Sequence, residues 1–208
     1  MTLPRPYAGL NAIFALFTLS LSLLLVAPAS AQRDTPMETV QTTVDAILAI
    51  LRKPDFNFET DRAAVKAEVT KAFDATAMAQ SVLSTNWRSA SKEQQTEFQD
   101  LLLQTIENSY IDRIKAYTNE TVNYSGEDIK GDRATVNTVI VVQSGNVPVS
   151  YKLRQRSDGW FVYDVEVENV SMVSSYRETY RNIVGRSGMD GLLQQMRTKL
   201  EELKQAQG

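Results

Sequence analysis

Three acidic residues alternate along one predicted strand, at Asp164, Glu166 and Glu168. Residues two apart on a strand point to the same face, with alpha carbons ~6 to 7 Å apart. Two carboxylates at that spacing could in principle divide the work of a general acid and a general base. Alternating acids more often form the solvated face of a strand, and we expect that here, with the apolar face on the opposite side.

Other catalytic chemistry is limited by what the chain lacks, because it contains neither histidine nor cysteine. A histidine base, a Ser-His-Asp triad, a reactive thiolate and the usual zinc ligands are therefore excluded. No nucleophile elbow, P-loop or dinucleotide-binding glycine pattern occurs. An enzyme built on this chain would have to rely on carboxylates, lysine or tyrosine.

The beginning of the chain has the pattern of a secretory signal. Arg5 precedes an apolar stretch from about Leu10 to Val26, and Ala29-Ser30-Ala31 then provides a small-residue cleavage site. We predict a cleaved signal peptide at residues 1–31 and an exported, soluble mature protein. The formal net charge of -3, without clustered Lys and Arg, argues against a nucleic acid partner.

Turn residues divide the second half of the chain into strands. Gly131-Asp132, Ser144-Gly145-Asn146 and Ser157-Asp158-Gly159 are typical of tight reversals. The segments between them are rich in β-branched residues. They predict a four-stranded antiparallel meander at about residues 120–129, 134–143, 147–156 and from 159 onward.

Helical patterns lie on both sides of these strands. Pro36 suits a first helical turn, Asp74 can cap a short helix, and Ser91 with Gln94 forms a capping box for a helix to about Tyr117. A glycine-containing segment, 185–188, separates two further helices near the end. The order predicts a single α+β domain, residues 32–208, with helices covering one face of a curved sheet.

The last strand and the helix after it must enclose apolar material. We predict that Phe161, Tyr163, Val165 and Val167 form one apolar strand face. The following helix repeats apolar residues at helical spacing and can fold back over that face. The pattern alone does not distinguish a solid core from a bound apolar cargo.

Six segments, in unbroken order, resemble the MlaC family of periplasmic phospholipid-binding proteins, also called toluene-tolerance auxiliary proteins. The chain differs from the family pattern at Ser84 and at Asn169, where the family often has glycine. The matching segments are Asn86–Phe98, Gly131–Val136, Val147–Arg154, Gly159–Val165, Val170–Val173 and Gly188–Leu193.

The resemblance implies a periplasmic carrier that holds phospholipid acyl chains in an apolar pocket between sheet and helices. It would shuttle lipid between an outer-membrane lipoprotein and porin complex and an inner-membrane ABC transporter with a membrane-anchored substrate-binding subunit. Such transport maintains the lipid asymmetry of the outer membrane. The bound phospholipid is cargo. The resemblance implies no catalytic residues, no metal site and no cofactor, and a protein that is not an enzyme.

Apolar residues of the sheet and helices are the candidate walls of that pocket, because each buried CH₂ contributes about 0.8 kcal/mol. Alternatives are a carrier of hopanoid or another polycyclic lipid, a small enzyme using Asp164 or a buried tyrosine, and an adaptor without cargo. The predicted lipid-binding residues are Val82, Leu102, Ile106, Val139, Val141, Val149, Tyr151, Val165, Val167, Val170, Val173, Tyr176 and Ile183.

Overall fold

Helices come before and after a five-stranded antiparallel sheet in the computed structural model, which describes residues 35–115 and 120–207. The predicted α+β class is confirmed, with one strand more than expected. The predicted signal peptide lies outside the described residues. The elements are α1 (Pro36–Leu51), α2 (Phe58–Ala72), α3 (Ala75–Leu83), α4 (Asn86–Ser89), α5 (Lys92–Lys115), β1 (Thr121–Lys130), β2 (Arg133–Val142), β3 (Gly145–Arg156), β4 (Gly159–Val167), β5 (Val170–Ser171) and α6 (Met172–Gln207).

Side chains cap the N-terminal ends of α3 and α5. Asp74 accepts a hydrogen bond of 2.8 Å from the backbone N–H of Ala77 at the start of α3. Ser91 and Gln94 exchange the two bonds of a capping box, at 2.9 and 3.2 Å, before α5. Each cap satisfies backbone donors that the first helical turn leaves unpaired. Both predicted caps are confirmed.

The last helix is bent at a glycine. Gly188 has φ 67° and ψ -174°, which interrupts α6 between residues 172–187 and 189–207. Residues with a β-carbon rarely adopt such a positive φ. The break therefore falls within the predicted glycine-containing segment.

The fifth strand arises because the chain reverses after β4. Glu168 and Asn169 have φ values of 51° and 65°, and the flanking Val167 and Val170 pair across them. Two consecutive positive φ values are typical of a tight hairpin turn. The prediction of one long strand leading directly into the last helix is wrong at this point, since β5 folds back along β4 first.

The turn between β2 and β3 decides which side chains face inward. Val142 pairs with Gly145 around a two-residue turn, so Val149 lies opposite Thr138. The predicted three-residue turn would instead place Val149 opposite Val141. Since a shift of one residue exchanges the faces of a strand, Val139 and Val141 lie on the outer face and not on the predicted wall.

A β-bulge changes the inward face of β4. Asp164 pairs with Lys152, whereas Val162 pairs with the adjacent Leu153, so Tyr163 is an extra residue. The predicted apolar face is therefore wrong for the first half of the strand. Phe161 and Tyr163 are half-exposed, whereas the buried residues of this segment are Trp160, Val162, Asp164 and Val165.

Two groups of buried apolar residues hold these elements together. The helical core joins α3, α5 and α6 around Met78, Phe98, Leu102 and Leu192. The sheet core joins the inner face of the sheet to α1 and the start of α6, and its buried members include Val40, Val136, Val149, Leu153 and Val165. Phe73 and Ile106 pack against both cores.

Candidate functional site

The inner face of the sheet, with α1 over it, carries apolar side chains that are only partly buried. These residues pack against the sheet core and yet keep part of their surface accessible. Ligand sites in proteins are lined predominantly by apolar side chains of this kind. The partly buried residues are Met37, Val44, Tyr124, Ile140, Val147, Tyr151 and Val167, with Ile106 of α5 at the junction with the helical core.

Helix α1 is held over this face at its N-terminal end. Its first turn is closed by a capping box between Thr35 and Glu38, and the backbone N–H of Met37 donates a 2.9 Å hydrogen bond to Glu127 of β1. Val40, 2% exposed, anchors the helix in the sheet core. Beyond Val44, the apolar residues of α1 other than the exposed Ala49 are half-buried. The helix therefore extends its apolar stripe past its anchored first turns.

Thr138 and Tyr151 place hydroxyl groups, but no charge, on the otherwise apolar inner face. The Thr138 hydroxyl donates a 3.0 Å hydrogen bond to the backbone oxygen of Val149. Burial raises the pKa of Tyr151, although a hydrogen bond with Thr138 partly offsets this effect. Both groups are therefore neutral near pH 7, in keeping with an apolar surface.

A third hydroxyl, that of Tyr124, differs because it lacks a partner. Among the described residues with buried side-chain polar atoms, its oxygen has no hydrogen-bonding partner. Burial, together with the charge of Asp45 and the neighbouring Tyr151, raises the pKa of Tyr124 to about 12. Tyr124 faces the same side as its partner Thr138, which is buried. A neutral phenol with an unused proton therefore lies on this inner face.

The acidic residues of β4 do not form a simple solvated face. Asp164 is 3% exposed and accepts hydrogen bonds of 2.7 Å from the Ser171 hydroxyl and 3.0 Å from the backbone N–H of Val173. It therefore caps the N-terminal end of α6, where negative charge is favourable. The expectation that Asp164 lies on the wet side of the strand is wrong.

Lys152 connects Asp164 to the next acid along the strand. Its amino group lies 3.5 Å from Asp164 and 3.0 Å from Glu166. Burial opposes the charge of Lys152, but the hydrogen bond to Glu166 and the charge of Asp164 outweigh burial and raise its pKa. Both carboxylates contact Lys152, and Asp164 also caps α6. The geometry therefore gives no support to Asp164 and Glu166 as a catalytic acid–base pair.

The predicted lipid-binding residues fall into three groups: residues of the sheet core, residues of the helical core, and three valines that belong to neither core. Those that pack in or against the sheet core are Ile106, Val149, Tyr151, Val165 and Val167. Those in or against the helical core are Val82, Leu102, Val173, Tyr176 and Ile183, with Ile106 shared. Val139 and Val141 lie on the outer face of β2, and Val170, 61% exposed, lies beyond the hairpin turn.

The predicted lipid-binding residues of the helical core differ in how deeply they are buried. Val82, Leu102 and Val173 are 1 to 3% exposed and are surrounded by side chains of α3, α5 and α6. Such complete burial is typical of packed core. Tyr176 and Ile183 remain half-buried at the edge of this core. The sheet side, with the outward-facing valines left out, is therefore the more open part of the candidate site.

Sequence reasoning missed several residues of the inner face, namely Met37, Val44, Tyr124, Ile140 and Val147. The sequence of β2 contained a signal that could have identified its inner face. Ala134, Val136 and Thr138 alternate with polar residues, and the same alternation places Ile140 on their face. The uninterrupted apolar run from Val139 to Val142 obscured that alternation.

Neither a metal site nor a membrane-spanning helix is found in the described segments. Within residues 35–115 and 120–207, no three carboxylate-bearing residues lie close enough to hold a metal ion. None of the helices in these ranges is both long and apolar enough to cross a bilayer.

Two known proteins resemble this chain over most of its length. The chain is 23% identical to the intermembrane phospholipid transport system binding protein MlaC of Haemophilus influenzae, over 88% of this chain and 90% of that protein. It is 25% identical to the toluene tolerance protein ttg2D of Pseudomonas putida, over 76% of each.

A solved structure shares the fold. The phospholipid-binding protein of Ralstonia solanacearum, determined in complex with a phospholipid, superposes with a TM-score of 0.74 at 24% identity. The match covers 80% of this chain and 97% of that one. The sequence pattern of the MlaC protein family matches residues 41–198. This chain belongs to the MlaC family.

Proposed function

We propose that this protein is a periplasmic phospholipid carrier that holds acyl chains against the inner face of the sheet beneath α1. The observation that carries the proposal is the set of half-buried apolar residues of α1, β1, β2 and β3 that pack against the sheet core. Each acyl CH₂ removed from water there contributes about 0.8 kcal/mol, so binding needs no charged residue. The names of two similar proteins, an intermembrane phospholipid transport system binding protein and a phospholipid-binding protein, support the same proposal.

The proposed role requires no catalytic group. The buried carboxylate of Asp164 is engaged with Ser171 and the start of α6, and Lys152 is paired with two acids. The Asp164 carboxylate and the Lys152 amino group are therefore both engaged in structural contacts. A carrier that catalyses no reaction agrees with this role of the two charged residues.

Transport would connect two membranes. We place the mature protein in the periplasm because residues 1–31 have the pattern of a cleaved signal peptide. Its partners would be an outer-membrane lipoprotein and porin complex and an inner-membrane ABC transporter with its membrane-anchored subunit. Carriage of lipid between them would maintain the lipid asymmetry of the outer membrane.

Lipid extraction from protein purified out of the periplasm tests the proposal. We expect phospholipid at a fixed molar ratio, detected by native mass spectrometry as a mass that disappears on extraction. Protein that carries no lipid would instead favour the cargo-free adaptor. Extraction of a hopanoid or another polycyclic lipid would favour the alternative cargo.

A transfer assay tests the partners. Loaded protein is incubated with the membrane-anchored subunit of the transporter in detergent-free form, and the lipid on each protein is then measured. We expect labelled phospholipid to move between the two proteins. Retention of all label on the carrier, under conditions where the lipid itself is bound, would contradict the proposed partnership without contradicting lipid binding.

A further inference from the structure

The unpaired hydroxyl of Tyr124 gives the inner face one directional group. The oxygen is buried, and within the described residues no donor or acceptor reaches it. Buried polar groups in proteins are nearly always hydrogen-bonded, so each exception requires an explanation. The neighbouring Thr138 hydroxyl is already committed to the backbone oxygen of Val149. Tyr124 is therefore the group that remains available to a ligand.

The chemistry of Tyr124 restricts what that ligand atom is. With its pKa raised to about 12 by burial, by Asp45 and by Tyr151, the phenol keeps its proton and acts as a donor near pH 7. The charge of Asp45, which opposes an anionic phenolate here, opposes an anionic ligand group in the same way. The complementary partner is an uncharged acceptor oxygen.

The position of Tyr124 fits the uncharged oxygens of a diacyl lipid. β1 is an edge strand of the sheet, so Tyr124 lies at one side of the apolar face. From there, acyl chains would extend over Ile140 of β2 and Val147 of β3, which are apolar and half-buried. The ester linkages lie at one end of those chains and contain neutral carbonyl oxygens.

We propose that Tyr124 donates a hydrogen bond to an ester carbonyl of the bound lipid, so that the site selects acyl esters over ether-linked lipids and over polycyclic hydrocarbons. The inference rests on the proposed phospholipid-carrier function. It adds a specificity-determining residue to a surface that otherwise recognises only apolar area. Charge on the head group plays no part in this contact.

Matched lipids test the proposal. Delipidated protein is titrated with diester and diether phosphatidylethanolamines that have the same head group and chain length. We expect the unmodified protein to bind the diester about tenfold more tightly, because only the diester offers a carbonyl oxygen to the Tyr124 hydroxyl, which has no partner among the described residues. Tyr124→Phe should lose this preference by weakening diester binding while leaving diether binding unchanged.

Tyr163→Phe is the control, because Tyr163 is the extra residue of the β4 bulge and its ring centre lies 5.0 Å from the Arg133 guanidinium. It should keep the full preference for the diester. Equal binding of the two lipids by the unmodified protein, or an equal loss for both in Tyr124→Phe, would overturn the inference while leaving lipid binding established. Failure to bind either lipid would overturn the proposed function and this inference with it.

An infrared measurement keeps the inference testable if Tyr124→Phe does not fold. Phospholipid with ¹³C-labelled ester carbonyls is bound to the unmodified protein, and its stretching band is compared with that of the same lipid in an apolar solvent. A hydrogen-bonded carbonyl absorbs at lower frequency, so we expect a lowered component. A band identical to that in the apolar solvent would contradict the contact.

Discussion

Asp164 of β4 and Ser171 of β5 are joined by a 2.7 Å hydrogen bond between two buried side chains. The same serine oxygen accepts a 3.0 Å hydrogen bond from the backbone N–H of Ser174, and Asp164 also accepts one from the N–H of Val173. One carboxylate and one hydroxyl thus attach the start of α6 to the sheet. Asp164 pairs with Lys152 of β3, directly next to the β-bulge at Tyr163.

Asp164→Ala should lower the free energy of unfolding by about 3 kcal/mol, because buried donors of Ser171 and Val173 lose a charged acceptor. Urea unfolding followed by circular dichroism measures the change. Asp128→Ala is the control, since Asp128 is exposed and pairs only with the exposed Lys130 among the described ion pairs. It should change stability by less than about 0.5 kcal/mol. Equal midpoints for both variants would refute the capping role.

Ile140→Asp and Val141→Asp form a matched pair on opposite faces of β2. Ile140 packs against the sheet core, whereas Val141 is 38% exposed on the outer face. We expect Ile140→Asp to lose most of the phospholipid that copurifies with the unmodified protein, and Val141→Asp to retain it. Lipid phosphorus per mole of folded protein is the measurement. Loss of lipid in the Val141 variant alone would place the binding surface on the outer face.

Ser84→Gly should stabilise the protein by about 1 kcal/mol. Ser84 ends α3 with φ 54° and ψ -121°, a conformation in which a β-carbon is strained. Glycine removes that strain, although it gains conformational freedom in the unfolded chain. Ser84→Ala retains the β-carbon and should show no comparable gain. Thermal unfolding of the three proteins distinguishes the two effects, and a gain in the alanine variant would rule out backbone strain as the cause.

Glu107 of α5 connects to α2 through Arg62 at 2.8 Å and Lys66 at 3.0 Å. Burial tends to raise the pKa of Glu107, but the hydrogen bonds and charges of Arg62 and Lys66 outweigh burial and lower it below the ordinary 4.5. The stabilisation is therefore present above pH 4.5 and is lost as the pH falls through the lower value in the folded protein.

Glu107→Gln should therefore cost about 0.5 to 1 kcal/mol at pH 7, and less as the pH falls below 4.5. Urea unfolding at several pH values gives the difference between the two proteins. Glu68→Gln provides a carboxylate control within a single helix, where Lys71 lies three residues away. A cost for Glu107→Gln that stays constant down to pH 3 would contradict the ion-pair explanation.

Local features of this fold could be predicted from the sequence, as the helix caps illustrate. Asp74 and the Ser91–Gln94 box form their capping hydrogen bonds with groups three residues away, so these caps can be recognised from the local sequence. The bend at Gly188 is local in the same sense. Each of these features was correctly anticipated from residue types and spacing.

It was harder to predict which face of the sheet each strand residue lies on. That assignment depends on the length of each turn and on bulges, and one residue more or fewer exchanges the two faces. One residue fewer in the turn before Gly145 moved Val139 and Val141 to the outer face. The extra Tyr163 exchanged the two faces in the first half of β4, where apolar residues on both sides had concealed the bulge. Tyr124 was missed because only the pairing of β1 with Thr138 shows which side it faces.

Each strand of the sheet pairs with its immediate neighbour along the chain, in the order β1 to β5. Sheets built from such short closures fold rapidly, because little loop entropy is lost at each step. The contact between Met37 and Glu127 instead joins positions 90 residues apart. We therefore expect α1 to dock after the meander has formed, so that the helix covering the inner face is among the last parts of the molecule to reach its place during folding.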